Sequence, residues 1–127
     1  MLLSGRCISK GTAKGEVMKT DVPISFLGGV DKKTGVIIDK SHPLYGKSIA
    51  GKVLVFPYGK GSTVGSYVLY ALSRNGNAPA AIINKECETI IAIGAIISGI
   101  PAVDRLNGVI PNGVTAEVSA ENGTVNY

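Results

Sequence analysis

Residues 53–63 have the sequence Val-Leu-Val-Phe-Pro-Tyr-Gly-Lys-Gly-Ser-Thr, in which an apolar run leads directly into a lysine between two glycines and a Ser-Thr pair. The apolar run before Pro57 indicates a short buried strand, Lys52–Phe56. From Ser62 onward the apolar residues recur with a helical period, and they share one face from Val64 to Leu72. This stretch therefore predicts a strand, a tight loop and a helix in direct succession.

The residues that follow complete a β-α-β unit. Gly76 stands just beyond Arg74, where a helix commonly ends in a glycine with a left-handed backbone. Ala80–Ile83 then predicts the second strand of the unit. Because the crossover is short and contains one helix, we expect the two strands to be parallel and the connection right-handed.

The remainder of the chain predicts short strands and one more helix. Glu86–Ile97 fits a buried helix, with a strand of β-branched residues as the alternative. Seven further strand segments are expected, the first two forming an opening hairpin and the last two a closing hairpin. They are Leu2–Ile8, Glu16–Thr20, Pro23–Phe26, Val36–Ile38, Ala102–Val103, Val114–Val118 and Thr124–Tyr127. The expected fold is α+β, a β-sandwich or open barrel carrying two main helices.

Composition limits the class of protein. With 127 residues, 45% hydrophobic and 17% charged, the chain is expected to form one domain, 1–127, with a substantial core. The net charge of +4 is scattered and aromatic residues make up only 6%, which disfavours nucleic-acid binding. No signal peptide is recognisable, and the apolar stretch Ile90–Val103 is too short and too interrupted to span a membrane. We expect a cytoplasmic protein with no membrane partner.

Cysteine and histidine are scarce. Cys7 and Cys87 lie too far apart for a CxxC pair, and we interpret both as small buried hydrophobic residues. An iron–sulfur cluster with an open iron requires about three cysteines, so this chain is not expected to bind one alone. His42 is the only histidine, and its polar loop indicates a solvated side chain.

The loop at residues 59–63 gathers groups suited to binding an anion. Ser62 or Gly61 is the predicted N-cap of the helix, so the N–H groups that follow have no partner within it. The helix dipole contributes about half a positive charge there and Lys60 contributes a full one. A serine hydroxyl in this field can be stabilised as an alkoxide or can donate to a substrate oxygen. The alternative that Ser62 only caps the helix stays open.

Known catalytic and nucleotide motifs do not match this loop. A P-loop requires the lysine directly before Ser or Thr, whereas Lys60 is followed by Gly61. The GxGxxG fingerprint fails because the third glycine, Gly65, comes one residue too late. A triad of Ser62, His42 and Asp39 lacks the GxSxG context of a nucleophile elbow.

Short motifs across nearly the whole chain resemble, in order and spacing, the small subunit of the aconitase X family. They are Gly28-Gly29-Val30-Asp31 with Thr34-Gly35, His42-Pro43-Leu44 with Gly46, Gly59-Lys60-Gly61-Ser62, Ala78-Pro79-Ala80-Ala81-Ile82-Ile83, Gly94-Ala95, and Ile100-Pro101 with Val103-Asp104. The resemblance implies the swivelling β/β/α domain of the aconitase superfamily. It also implies a separate large subunit that holds a [4Fe-4S] cluster and most of the active site.

The same resemblance implies a hydro-lyase that is active only with its large subunit. The reaction would be dehydration of mevalonate 5-phosphate, an anionic phosphorylated hydroxy acid, to trans-anhydromevalonate 5-phosphate in the archaeal mevalonate route to isoprenoids. Ser62 matches the family's catalytic serine, the proton acceptor, and Lys60, Gly61 and Thr63 are then candidates for binding substrate oxygens.

Three alternatives stay open from the residues alone. The substrate can be another hydroxy acid, such as a hydroxyproline. The chain can instead be a stand-alone module that uses residues 59–63 to bind an anion without catalysis. A phosphocarrier domain with His42 as carrier is disfavoured, because no glycine-rich helix start follows that histidine.

Overall fold

The computed structural model describes residues 1–127 and contains eight strands and three α-helices. The strands are β1 Leu2–Ser4, β2 Arg6–Ser9, β3 Thr12–Lys19, β4 Val53–Phe56, β5 Ala81–Asn84, β6 Ala102–Asp104, β7 Thr115–Ser119 and β8 Thr124–Asn126. The helices are α1 Phe26–Gly29, α2 Gly65–Arg74 and α3 Thr89–Ser98, with a 3₁₀ turn at Ala120–Asn122.

The strands form one mixed sheet in the order β1-β8-β7-β3-β4-β5-β6-β2. Strands β3 to β6 are parallel to one another, and the remaining pairs are antiparallel. β3 belongs to two halves of the sheet, because residues 12–16 pair with β7 and residues 17–19 pair with β4. β1 and β2, the two ends of the order, are separated only by Gly5. The sheet therefore folds at β3 and at Gly5 into two layers.

Gly5 is required at this corner by a close approach of backbone. Its N–H donates to the Gly123 carbonyl at 2.7 Å, and a Cβ at this position would collide with the carbonyl of Asp104. Only glycine lets the chain pass from one layer to the other at this point.

Alternate residues of the central strands serve two separate cores. Leu54 and Ile82 face the helices, whereas Val53 and Ala81 face the other sheet layer. Because both faces of β4 and β5 are covered, these strands are continuous apolar runs rather than alternating ones. The domain thus has three layers: one layer of the sheet, the second layer of the sheet that contains β4 and β5, and the helices.

Helices α2 and α3 cover the outer face of the parallel strands and pack closely against each other. A Cβ on Gly94 of α3 would lie 3.2 Å from the Cα of Ser66 on α2, which leaves no room for a side chain. Glu88 caps α3, because its carboxylate oxygens accept from the N–H groups of Ile90 at 2.7 Å and Ile91 at 2.8 Å. No helix has the length and apolar character needed to cross a lipid bilayer.

The predicted β-α-β unit is confirmed. β4 and β5 pair in parallel with Val53 opposite Ala81, and Gly76 ends the α2 region with a φ of +75°. The segment after Glu86 forms helix α3, so the strand alternative for it is wrong. The closing hairpin forms as β7 and β8.

Other local predictions are wrong. The opening segments do not form a hairpin, because β2 pairs with β6 while β3 pairs with β4 and β7. Pro23–Phe26 and Val36–Ile38 make only isolated bridges, and Phe26–Gly29 forms a third, short helix with irregular backbone. Helix α2 begins at Gly65 with Val64 at the N-cap, not with Ser62 or Gly61. Alternation of apolar residues identifies strands, but it does not identify their partners.

The Phe56→Ala variant tests the helix-side core. Phe56 is 1% exposed at the end of β4, and its ring centroid lies 6.0 Å from that of Phe26. Truncation leaves a cavity, and we expect the free energy of unfolding to fall by about 3–5 kcal/mol in chemical denaturation. Val109→Ala, at an exposed site, should change it by less than about 0.5 kcal/mol. An equal effect of the two substitutions would contradict this view of the core.

Candidate active site

The loop from Tyr58 to Val64 leaves the carboxyl end of β4 and enters α2, and it is held from two sides. On one side it pairs with Ile24, whose carbonyl accepts from Lys60 N–H at 3.1 Å and whose N–H donates to the Tyr58 carbonyl at 3.4 Å. On the other side Gly59 lies against α3, where a Cβ would come within 2.8 Å of Glu88 Oε1 and collide with Ile91. The loop is therefore positioned by segments distant in sequence.

Gly61 gives the loop its turn. Its φ is +97°, in the left-handed region that favours glycine. A Cβ on Gly61 would lie 2.7 Å from the hydroxyl oxygen of Ser25, so the segment before α1 also limits the space here. Both the conformation and the neighbour exclude a side chain at this position.

Ser62 is exposed and shapes the entry into α2. Its Oγ accepts a hydrogen bond from the N–H of Val64 at 3.1 Å, and its carbonyl accepts from Gly65 N–H at 2.9 Å. A hydrogen-bond donor on the serine oxygen, at the positive end of a helix, favours negative charge on that oxygen. The hydroxyl is thus available at the surface and prepared for anionic character.

The backbone N–H groups of Gly61, Ser62 and Thr63 donate to no acceptor within the protein. The side chain of Lys60 is exposed and forms no ion pair with another side chain. Lys60, Gly61, Ser62 and Thr63, the four predicted site residues, thus lie together in one exposed loop with unused donors. Such a loop can hold a carboxylate or phosphate oxygen.

A second loop brings a carboxylate near Lys60. Asp39 accepts hydrogen bonds from the hydroxyl of Ser41 at 2.7 Å and from its N–H at 3.0 Å. These hydrogen bonds, assisted by the charge of Lys60, hold the pKa of Asp39 below its ordinary value. The sequence analysis considered Asp39 only as part of a disfavoured triad. Its position two residues before Ser41 is typical of a turn in which an Asp side chain accepts from the backbone, and this spacing indicates the turn.

His42 is not the solvated loop histidine that the sequence indicated. It is 7% exposed, its Nδ1 accepts from Leu44 N–H at 3.0 Å, and its Nε2 is buried without a partner. Ser62 Oγ accepts a hydrogen bond from Val64 N–H and makes none with the imidazole of His42. The three residues of the candidate triad therefore form no Ser-His-Asp chain.

An ionic cluster around one buried carboxylate joins the ends of strands, and sequence reasoning missed it. Asp104 is fully buried and accepts two hydrogen bonds from Arg6, at 2.9 and 2.7 Å, and one from Cys87 N–H at 2.7 Å. Burial alone would raise the pKa of Asp104, but these hydrogen bonds outweigh it and hold the pKa below its ordinary value. Beside it, Arg105 pairs with Glu86 at 2.6 and 2.9 Å. The partners are far apart in sequence, so no local pattern predicted this cluster.

The two cysteines differ in environment and remain free. Cys7 is exposed, so its interpretation as a buried residue is wrong, whereas Cys87 is partly buried. Burial, together with the nearby carboxylates of Asp104 and Glu88, raises the pKa of the Cys87 thiol to about 12. Nowhere do three His, Cys, Asp or Glu side chains converge as metal ligands.

A cavity of about 580 Å³ opens at the carboxyl ends of the parallel strands. It reaches Pro57, the residue just before the loop that carries Ser62, and its polar lining includes the cations Lys19, Lys85 and Arg105. Lys19 Nζ donates to the carbonyl of Ile110 at 3.0 Å, so this cation is partly engaged within the protein. The carboxyl edge of the parallel strands therefore carries both the loop and this cavity.

Sequence comparison with known proteins finds relatives that agree with one another in family and name. A family model described as the aconitase X swivel domain matches residues 2–127. A phosphomevalonate dehydratase small subunit of Methanosarcina acetivorans is 64% identical over 104 residues, which cover 82% of this chain and 72% of that one. The protein of the same name from Thermococcus onnurineus is 55% identical over 126 residues, covering 98% and 97%.

Solved structures agree with these sequence relatives. The crystal structure of Thermococcus kodakaraensis aconitase X in its holo form superposes with a TM-score of 0.95 at 54% identity, covering 98% of this chain and 96% of that one. The solution NMR structure of a UPF0107 protein superposes with a TM-score of 0.89 at 46% identity, covering 99% and 98%. The predicted α+β swivelling fold is confirmed.

Thiol titration tests the two cysteine environments. Because the thiolate is the reactive form, a disulfide reagent at pH 8 should modify Cys7 and leave Cys87 unmodified in the folded protein. A second thiol should react only after denaturation. The raised pKa of Cys87 favours the folded state below about pH 9, and this contribution should be lost as the pH rises towards 12. Two thiols reacting rapidly in the folded protein would contradict the burial of Cys87.

Proposed function

This chain belongs to the aconitase X swivel-domain family, and from that membership we propose that it is the small subunit of a phosphomevalonate dehydratase. Such an enzyme is a hydro-lyase, which removes water from mevalonate 5-phosphate to form trans-anhydromevalonate 5-phosphate in the mevalonate route to isoprenoids. The observation that carries this proposal is 55% identity across 98% of the chain to a protein of that name. Residues 1–127 act as one swivelling domain in this proposal.

The small-subunit name implies a large subunit, and we assign the remaining parts of the active site to it. A [4Fe-4S] cluster, the cofactor that the family relation suggests, does not fit the residues of this chain, because no three potential ligand side chains converge. The large subunit is therefore its proposed holder. Neither a nucleic acid nor a membrane has a part in the proposed reaction, which we place in the cytoplasm.

In this proposal Ser62 accepts the proton that leaves the carbon next to the substrate carboxylate. A serine hydroxyl is a weak base in water, so its alkoxide form must be stabilised by its surroundings. Three features act in that direction: the N–H of Val64 donating to Oγ at 3.1 Å, the N-terminal end of α2, and the charge of Lys60. The exposed position of Ser62 lets substrate reach it from outside the chain.

Lys60, Gly61 and Thr63 are proposed to bind substrate oxygens. The ammonium group of Lys60 and the unused N–H groups of Gly61 and Thr63 are donors that suit a carboxylate or a phosphate. Because they flank Ser62, substrate bound by them would be held against the proposed proton acceptor. Binding and proton transfer would therefore use the same loop.

Ser62→Ala, assayed in complex with the large subunit, tests the proton acceptor. We expect kcat for water elimination to fall by about 10²- to 10⁴-fold, the usual contribution of a general base, with little change in KM. Ser4→Ala removes an exposed hydroxyl with no hydrogen bond on β1 and should retain full turnover. Normal turnover by an intact Ser62→Ala complex would refute the proposed role of the serine.

Lys60→Met tests the substrate-binding charge while retaining most of the side chain's length. Loss of a charge-assisted hydrogen bond should lower kcat/KM by about 10- to 100-fold, with a rise in KM. Lys14→Met removes the same charge from an exposed position on β3, outside the Ser62 loop. This variant should have the kinetics of the unmodified complex. An unchanged kcat/KM in Lys60→Met would remove Lys60 from the site.

A further inference from the structure

The cavity at the carboxyl ends of the parallel strands has no part in the chemistry proposed for Ser62. It lies on the inter-sheet side of these strands, because its lining includes Val55 and Ile83, which contact the core between the two sheet layers. The Ser62 loop instead enters α2, which packs on the opposite face of the strands. The cavity volume of about 580 Å³ falls within the usual range for small-molecule sites, about 300–1,000 Å³.

The side of the cavity that faces the protein interior is apolar. Ile83 and Ile110 are each 3% exposed, and Val55 and Leu106 pack partly against the same core. Val109 also lines the cavity and is 74% exposed, so it lies on the side that faces solvent. Hydrocarbon binds favourably to such a wall, because both surfaces leave water on contact. A ligand that fills the cavity therefore has an apolar part.

Cations border this apolar wall. The charged lining consists of three cations, Lys19, Lys85 and Arg105, and one acid, Asp21, which leaves a net charge of +2. Lys85 is exposed and forms no ion pair. Lys19 Nζ donates to the carbonyl of Ile110 at 3.0 Å, and its ammonium group has two further N–H donors. The two lysines are thus free to bind an anionic group.

The backbone at the edge of the cavity is unusual at Arg105. This is the only residue other than glycine with a positive φ, +54°, a conformation that side chains with a Cβ rarely adopt. The Arg105 guanidinium is held by Glu86 at 2.6 and 2.9 Å, and the Arg105 N–H donates to the carbonyl of Lys85 at 3.2 Å. These contacts fix the strand end from which the Lys85 side chain extends.

The wall formed by residues 105–110 is fixed by hydrogen bonds to both ends of the chain. Asn107 N–H donates to the carbonyl of Ser4 at 2.9 Å, and its side-chain oxygen accepts from Ser4 N–H at 3.0 Å. The hydroxyl of Tyr127 donates to the carbonyl of Val109 at 3.1 Å. Because this wall is already ordered, a ligand does not have to order it on binding, which favours affinity.

We propose that this cavity is a binding site for a small amphiphilic anion, an organic phosphate or carboxylate that carries a short hydrocarbon chain. The hydrocarbon packs against Ile83 and Ile110, and the anionic group binds the ammonium groups of Lys19 and Lys85. Mevalonate 5-phosphate is not the proposed ligand, because it is charged at both ends and would place one charge against the apolar wall. The inference therefore does not depend on the proposed function.

Calorimetric titration of the complex with the large subunit tests the proposal, with hexyl phosphate, hexanoate and inorganic phosphate as probes. We expect hexyl phosphate or hexanoate to bind at least about tenfold more tightly than inorganic phosphate, because each buried methylene strengthens binding by about fourfold. Butyl phosphate should bind about tenfold more weakly than hexyl phosphate for the same reason. Binding by neither hexyl probe, or an affinity independent of chain length, would overturn the proposal.

Matched variants of the same complex locate the bound probe. Lys85→Met removes an exposed ammonium group that has no ion pair and should weaken binding of the probe by about tenfold, whereas Lys85→Arg should retain most of it. Lys60→Met removes a charge from the Ser62 loop and should leave the dissociation constant of the probe unchanged. Loss of binding in Lys60→Met but not in Lys85→Met would place the probe at the Ser62 loop and would refute the cavity site.

Competition with substrate separates the cavity from the reaction site. The Ser62→Ala complex is expected to bind mevalonate 5-phosphate without converting it at a normal rate. A saturating concentration of mevalonate 5-phosphate should leave the affinity of this complex for the hexyl probe unchanged. Displacement of the probe would make the cavity part of the substrate site and would contradict the proposal. Binding to the free chain that is lost in the complex would show that the large subunit fills the cavity, which would also contradict it.

Discussion

The burial of β4 and β5 on both faces is the constraint on which the rest of this structure depends. Leu54 and Ile82 contact the helices while Val53 and Ala81 contact the second sheet layer, so neither strand has a face left for solvent. Two parallel strands buried in this way must be joined by a helix on one side. That requirement places α2 outside the sheet and puts the loop with Ser62 at the carboxyl edge of the strands.

The precision of the loop comes from its neighbours rather than from its own residues. Ile24 holds its backbone through two hydrogen bonds, and α3 leaves no room for a side chain at Gly59. Ser25 limits the space at Gly61 in the same way. The glycines therefore let three separate segments approach the loop closely, and these contacts position the backbone that leads to Ser62.

The site has the character of one half of a shared active site. It offers a hydroxyl, a lysine and unpaired N–H donors, but it has no set of metal ligands and no wall that would exclude water. The buried carboxylate of Asp104, which pairs with the exposed Arg6, connects strand ends and lies outside the Ser62 loop. Stability and the proposed chemistry are thus assigned to different polar groups, which lets the loop stay exposed until a partner covers it.

Local sequence patterns determined the β-α-β unit, helix α3, the closing hairpin and the grouping of Lys60, Gly61, Ser62 and Thr63. In each case the relevant information lies within a few residues: apolar periodicity, a terminal glycine or direct adjacency in one loop. Tertiary structure alone decided that β2 pairs with β6, that His42 is buried, that Cys7 is exposed and that Asp104 binds Arg6. These features depend on which distant segments meet. The free energy of such a contact depends on both of the segments that meet, so the sequence of either segment alone does not predict it.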